Sequence, residues 1–125
     1  MELKIVDIFT KSDERGSLSE LKDSVPFQIK KVLYLYDLKS EQKRGGHGHK
    51  KLIQFLVCLQ GTCEVYVNDG KEEKSILLDS PSKGLVLPPQ YWHEMIFSQG
   101  AILLALGSMP HDPDDYWYEK PVIGK

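Results

Sequence analysis

The sequence predicts an all-β fold, closed into a sandwich or barrel so that its strand edges are protected. Three observations carry this expectation. Short apolar or alternating runs recur at close intervals along the chain. Clusters of Gly, Pro, Asn, Asp and Ser separate them, and no stretch keeps a helical period over a useful length.

Taken in order, strands are expected at Lys4 to Phe9, Gly16 to Leu21, Ile29 to Leu38, Gly46 to Lys50, Leu52 to Leu59, Thr62 to Asn68, Lys71 to Leu78, Gly84 to Leu87, His93 to Phe97 and Ala101 to Gly107. Turn chemistry marks the gaps: Asp13-Glu14-Arg15-Gly16, Gln60-Gly61, Asn68-Asp69-Gly70, Asp79-Ser80-Pro81-Ser82, Pro88-Pro89-Gln90 and Ser98-Gln99-Gly100. The reading is a meander of sequential strands. Cys63-Glu64-Val65-Tyr66-Val67 alternates, so one face of that strand is expected inside and the other wet. Phe55-Leu56-Val57-Cys58-Leu59 is apolar on both faces, which suggests a second subunit against it and hence a homodimer, with the N-terminal strands able to pair across the interface. Gln60-Gly61 reads as a two-residue hairpin turn that places Cys58 opposite Cys63 as a pair of buried, reduced thiols. After Gly107 the run His111-Asp112-Pro113-Asp114-Asp115-Tyr116-Trp117-Tyr118 is acidic and aromatic, with Asp and Pro suited to start one helical turn over the barrel mouth.

Composition bounds the function. At 125 residues the chain fits a single domain, residues 1–125, that buries roughly 65% of its unfolded surface. Hydrophobic residues make up 41% and charged residues 27%, an ordinary folded balance. Sixteen basic against eighteen acidic side chains give a net charge of −2 without a basic stripe, so nucleic acid is not an expected partner. No apolar run reaches the roughly 18 residues of a membrane span, and Met1-Glu2-Leu3-Lys4 opens directly into a strand, so neither a membrane nor a leader is expected and the expected place is the cytoplasm.

The chemistry concentrates in Arg44-Gly45-Gly46-His47-Gly48-His49-Lys50-Lys51-Leu52-Ile53-Gln54. Successive strand side chains point to opposite faces, so His47 and His49 project together while Gln54 would point away. A tight corner at Lys50-Lys51, where the alternation lapses, would restart the strand and turn Gln54 toward the same cavity. Pro88-Pro89-Gln90-Tyr91-Trp92-His93 then brings a third histidine out of a proline-stiffened turn.

His-x-His, four residues, Gln54, six residues, Gly61, and later Pro-x-Gln-x-x-His resembles the two motifs of the cupin superfamily, small jelly-roll β-barrels. Cupins usually carry Glu where this chain has Gln54, and Gly where it has Gln90. A neutral amide is a much poorer metal donor than a carboxylate. The fuller set Asp13-Glu14-Arg15-Gly16-Ser17-Leu18, Arg44 to Lys51, Leu56-Val57-Cys58-Leu59-x-Gly61, Leu78-Asp79-Ser80-Pro81, Gly84-Leu85, Trp92-His93-Glu94 and Asp114-x-Tyr116 resembles the nucleotide-sugar 3,4-ketoisomerases, over roughly Lys4 to Tyr118. Gly48 departs from the Ala more usual between the two histidines, a swap that adds backbone freedom without removing a functional group.

That resemblance implies a reaction without metal or cofactor on dTDP-4-keto-6-deoxyglucose, in which the ketone moves from carbon 4 to carbon 3 by proton transfers through an enediol. Residue by residue it makes His49 the proton-shuttling base and His47 its partner at the sugar oxygens; the reverse order stays open. His93 and Gln54 are expected to line the site. Arg15, Arg44 and Lys50 are the cations available for the diphosphate. Thymine needs an aromatic or apolar wall, for which Tyr34, Tyr36, Tyr91 and Trp92 are available and Tyr36 is the one assigned. Arg15 together with His93 resembles the branch that forms galacto-configured 3-keto products. A downstream 3-aminotransferase would then make a 3-amino-3,6-dideoxyhexose for a surface glycan. Two competing readings are a metal-dependent cupin using His47, His49, Gln54 and His93, and a non-catalytic sugar-binding cupin.

Overall fold

Among the described residues every regular element is a strand except for one 3-10 turn, as the turn-rich sequence predicts. The computed structural model describes residues 1–21 and 23–124. The strands are β1 (Lys4–Asp7), β2 (Phe9–Asp13), β3 (Gly16–Glu20), β4 (Lys31–Leu35), β5 (Lys43–His49), β6 (Gln54–Gln60), β7 (Cys63–Asn68), β8 (Glu73–Leu78), β9 (Lys83–Leu87), β10 (Trp92–Phe97), β11 (Ile102–Gly107) and β12 (Tyr116–Trp117). Among the described residues no helix is long and apolar enough to cross a membrane.

Two five-stranded antiparallel sheets pack face to face, in the orders β1-β9-β6-β11-β4 and β12-β5-β10-β7-β8, and β2 with β3 forms a separate hairpin. Leu56, Cys58, Leu85, Leu87 and Leu103 from the first sheet meet Cys63, Val65, Val67, Leu78, Met95 and Phe97 from the second in one buried core. This is a cupin-type jelly roll. It is not the meander that evenly spaced runs suggest, because only β2–β3 and β7–β8 are both consecutive in sequence and paired. The β7–β8 turn is the one read at Asn68-Asp69-Gly70: the side-chain oxygen of Asn68 accepts from the Gly70 amide at 2.8 Å, and Gly70 holds a φ of +89°.

Gln60-Gly61, by contrast, is a corner. β6 and β7 belong to different sheets, so Cys58 faces Leu103 across its ladder while Cys63 faces Phe97 and Leu78. Both thiols are free and buried, and burial pushes Cys63 up to about 12.

The expected first strand divides at Ile8, which turns into the protein at 4% exposure while the chain leaves the sheet for the β2–β3 hairpin. The doubly apolar β6 has an explanation within the chain itself. Its inner residues Leu56 and Cys58 face the main core, and its outer residues Phe55 and Val57 lie in a second cluster with Ile8, Val86 and Leu106. Leu21, Val25 and Phe27 from the β3–β4 connection pack against that cluster. The face of β6 that suggested a second subunit is therefore covered by the protomer.

Candidate active site

The end of β5, the start of β6, the start of β10, the end of β11 and the start of β4 open on one cavity of about 240 Å³. The corner read at Lys50-Lys51 is what makes this possible. β5 stops at His49 and β6 begins at Gln54, so both histidines and the amide line the same space. Its inner wall is apolar, built from Leu56, Met95, Leu103 and Ala105.

Three imidazoles converge there. His47 stands beside His93 in the β5–β10 ladder, with a register shift immediately after His93. The ring centroids lie 4.8 Å apart for His47 and His93, 5.0 Å for His47 and His49, and 6.0 Å for His49 and His93. A Cβ on Gly45 would come to 3.0 Å from the backbone oxygen of His93, so glycine there permits the close approach of the two strands. The tail closes the other side. β12 pairs with the end of β5, setting Tyr116 opposite His49, and the Tyr116 ring centroid is 4.5 Å from His49 and 4.8 Å from His47.

The expected single helical turn is the 3-10 turn Pro113–Asp115, capped by Asp112, whose side chain accepts from the Asp114 amide. It delivers Asp115 into the protein, where a carboxylate oxygen lies 3.0 Å from His49 Nδ1. His111 has its Nδ1 3.4 Å from the Tyr116 hydroxyl.

Burial sets the charge state of the site, since taking an imidazole out of water disfavours its cationic form. His49 is pushed down to about 4 by burial and by His47, partly offset by Asp115. His93 is pushed down to about 3 by burial, then by His47 and His49. His47 is also lowered, first by burial and in part by the charge of Lys31. At neutral pH all three rings are uncharged. Burial holds the Tyr116 phenol above its ordinary value, so it too stays protonated.

Of the residues singled out from the sequence, the cavity gathers Arg44, His47, His49, Gln54 and His93. Three others lie apart from it within one chain. Arg15 sits at the tip of the β2–β3 hairpin, its guanidinium 2.7 Å from Asp13 and in solvent. Lys50 is exposed, with its amide bonded to the Asp115 carbonyl at 2.7 Å. Tyr36 is 61% exposed and neighbours Tyr34, ring centroids 5.8 Å apart, just past β4. Trp92 is occupied by the tail, donating from Nε1 to the Tyr118 carbonyl at 3.1 Å.

Lys31, Tyr116 and Asp115 were not chosen from the sequence as site residues. Lys31 and Tyr116 line the cavity, and Asp115 supports it from behind. The only signal for the last two was the tail motif Asp114-x-Tyr116; Lys31 carried none. Among the described residues no group of three or more His, Cys, Asp or Glu side chains is arranged to hold a metal ion. The amide at Gln54 is poorly suited to complete such a set.

Known proteins match along nearly the whole chain. The family described as FdtA: WxcM-like, C-terminal matches residues 1–121. The chain is 44% identical over 119 residues to the TDP-4-oxo-6-deoxy-alpha-D-glucose-3,4-oxoisomerase of Aneurinibacillus thermoaerophilus, covering 93% of this chain and 86% of that protein. It superposes with a TM-score of 0.90 on a 3,4-ketoisomerase from Helicobacter canadensis, at 42% identity and covering 95% of this chain and 92% of that one. A histidine-to-asparagine mutant of the 3,4-ketoisomerase from Thermoanaerobacterium thermosaccharolyticum, in complex with TDP-4-keto-6-deoxyglucose, superposes equally well at 0.90, with 36% identity over 94% of this chain and 87% of that one.

Proposed function

The chain belongs to the FdtA, WxcM-like family and is a sugar 3,4-ketoisomerase, and on that premise we propose that it converts dTDP-4-keto-6-deoxyglucose to the 3-keto sugar through an enediol, without metal or cofactor. The observation that carries this reading is the convergence of three neutral imidazoles on one apolar cavity.

His49 removes the proton on carbon 3, and the C–H electron pair becomes the double bond between carbons 3 and 4. The carbonyl oxygen on carbon 4 takes the negative charge and then a proton. Loss of the hydroxyl proton on oxygen 3 forms the new carbonyl as carbon 4 receives a proton. One hydrogen leaves carbon 3 and one reaches carbon 4, so the step balances with no oxidant or reductant. A positioned base contributes about 10²- to 10⁴-fold in rate. His47 and His93, neutral and close by, serve as donors to the two sugar oxygens, strengthening their hydrogen bonds as negative charge develops.

We assign the diphosphate to Arg44 and Lys31, which stand on opposite walls of the cavity, one from each sheet. Pairing of Lys31 with phosphate would offset one charge that adds, after burial, to the lowering of His47 and His49. Gln54 offers an amide to a sugar hydroxyl.

We assign a galacto-configured product, on the joint presence of Arg15 and His93, and a 3-aminotransferase as the consumer of that product. We also assign a homodimer, formed not through the outer face of β6 but through the β2–β3 hairpin. All of the hairpin's residues are exposed, including Phe9 at 55% and Leu18 at 60%. An isolated two-stranded ribbon is marginally stable in water, so a second copy is the natural cover for it. Arg15, at the tip of that hairpin, would lie in the contact. With both cysteines free, the cytoplasm is the compartment assigned.

Proton NMR of dTDP-4-keto-6-deoxyglucose in deuterated buffer tests the reading, with a 3-aminotransferase to trap the product. Protein-dependent formation of a 3-keto sugar carrying deuterium at carbon 4 is expected, with ring couplings that report a galacto configuration. An unchanged spectrum from protein that still binds the nucleotide sugar would overturn it.

A further inference from the structure

We infer that Asp115 is a positioning residue that fixes His49 in its Nδ1–H tautomer and so presents an unprotonated Nε2 to the cavity. This rests on the reading of His49 as the base, and it deepens that reading by saying what makes one of three similar rings the proton acceptor.

The carboxylate of Asp115 is almost sealed from solvent, its side chain 3% exposed. Three donors surround it. Oδ1 accepts from the Lys51 amide at 2.7 Å, while Oδ2 accepts from the Leu52 amide at 3.3 Å and lies 3.0 Å from His49 Nδ1. The two backbone amides can only donate, so the carboxyl presents lone pairs on both oxygens and the ring nitrogen facing it must carry the hydrogen. A neutral imidazole has one N–H, so Nε2 is left bare. Among the described residues no buried side-chain nitrogen or oxygen lacks a partner, and Nε2 has no protein partner. That atom therefore opens onto the cavity its ring lines.

The same residue fixes the shape of the site. Its carbonyl accepts from the Lys50 amide at 2.7 Å, so three successive amides, those of Lys50, Lys51 and Leu52, end on Asp115. Those amides form the corner that turns Gln54 toward the histidines. Tyr116, the next residue, begins the β12 pairing with His49. Neither His47 nor His93 has a carboxylate within hydrogen-bonding distance among the described residues, so His49 alone is held in this way.

An Asp115→Asn substitution keeps size and leaves one acceptor oxygen, which the Lys51 amide, the shortest of the three contacts at 2.7 Å, holds, so that the carboxamide nitrogen faces His49. The carboxamide nitrogen can donate to His49 Nδ1 only if that nitrogen gives up its proton, which moves the hydrogen to Nε2 and blocks the base. Long-range proton–nitrogen correlation spectra of the histidine rings read this directly. For the wild-type protein we expect His49 with a protonated Nδ1 and a bare Nε2. For Asp115→Asn we expect the opposite tautomer, a kcat lower by about 10²- to 10⁴-fold, and a Kd for TDP within about threefold of wild type. A wild-type His49 protonated at Nε2 overturns the inference, as does a folded Asp115→Asn protein with kcat within threefold of wild type. Should that variant fail to fold, the wild-type spectrum decides alone. The ring spectrum needs no turnover, so a protein with the expected tautomer and no ketoisomerase activity would sink the proposed reaction and leave the role of Asp115 standing.

Discussion

Replacing Gly48 with Ala should destabilise the protein and disturb the site, for a reason the sequence misreads. Gly48 does not need unusual backbone freedom, since it is not among the glycines with positive φ. What it needs is space. A Cβ at this position would lie 2.3 Å from Cε2 and Cζ2 of Trp117 and 2.9 Å from Cη2. Ordinary carbon contacts lie near 3.5–4.0 Å, so the indole would have to retreat by about 1.2 Å or more. Trp117 is paired with Gly48 in the β12–β5 ladder, so the retreat pulls on the strand that also places Tyr116 against His49. Overpacking of this kind costs about 1–3 kcal/mol. Urea unfolding of Gly48→Ala, Trp117→Ala and the double variant would measure it. We expect the alanine at position 48 to be costly beside Trp117 and nearly neutral beside Ala, a coupling of about 1 kcal/mol or more. Gly48→Ala should also lower kcat. If it is as stable as wild type with Trp117 in place, or if the two substitutions add, the packing explanation is wrong.

Further outcomes are expected at the histidines and at the hairpin. His49→Asn should abolish turnover while leaving nucleotide-sugar binding intact, as titration calorimetry would show; near-normal turnover refutes the base assignment. Stability should fall as pH drops from about 6.5 to 4, because His49 and His93 titrate near 4 and 3 when folded but near 6.5 when unfolded. In that window the unfolded chain binds more protons, so each ring contributes a slope approaching about 1.4 kcal/mol per pH unit, present above 6.5 and lost below. Urea midpoints at pH 7, 6 and 5 would test it, and a flat profile would contradict the neutral-imidazole picture. Exhaustive dialysis against a chelator should leave kcat unchanged, whereas loss restored by one transition metal would favour a metal-dependent enzyme. Phe9→Ser with Leu18→Ser should shift the protein to monomer in sedimentation equilibrium, and an unaltered dimer would rule out the hairpin as its contact.

Local signals in the sequence were read well and partnerships between distant segments were not. The Lys50-Lys51 corner and the Asn68-Asp69-Gly70 turn each depend on a few neighbouring residues, and both form as expected. Gln60-Gly61 carries similar turn chemistry, yet it leads between sheets. A turn motif fixes the local backbone and does not say which ladder the next strand joins. Five residues that line the cavity, Arg44, His47, His49, Gln54 and His93, were legible because their motifs are short. Asp115 was not, since it meets His49 across 66 positions and sits in an acidic run that looks solvated. Gly48 was misjudged for the same reason, because the indole occupying its missing side chain belongs to the tail. Arg15 and Tyr36 look outward in one chain, away from the cavity.

The division of labour we propose among the three histidines also rests on the tail. Burial lowers all three, and a neutral ring can act either as a base or as a donor. What distinguishes them is the carboxylate. His93 is lowered by burial and has no acidic partner, which suits a donor that keeps its single N–H through the proposed reaction. His49 has Asp115 behind it, which stabilises the imidazolium formed when a proton is taken and resists part of the depression that burial imposes. His47 lies between them, half-buried and close to both rings, placed to bridge the two sugar oxygens. With His47 as base, the positive charge of the intermediate would fall on a ring that lacks a carboxylate. The carboxylate behind His49 therefore supports our proposal of that ring as the base.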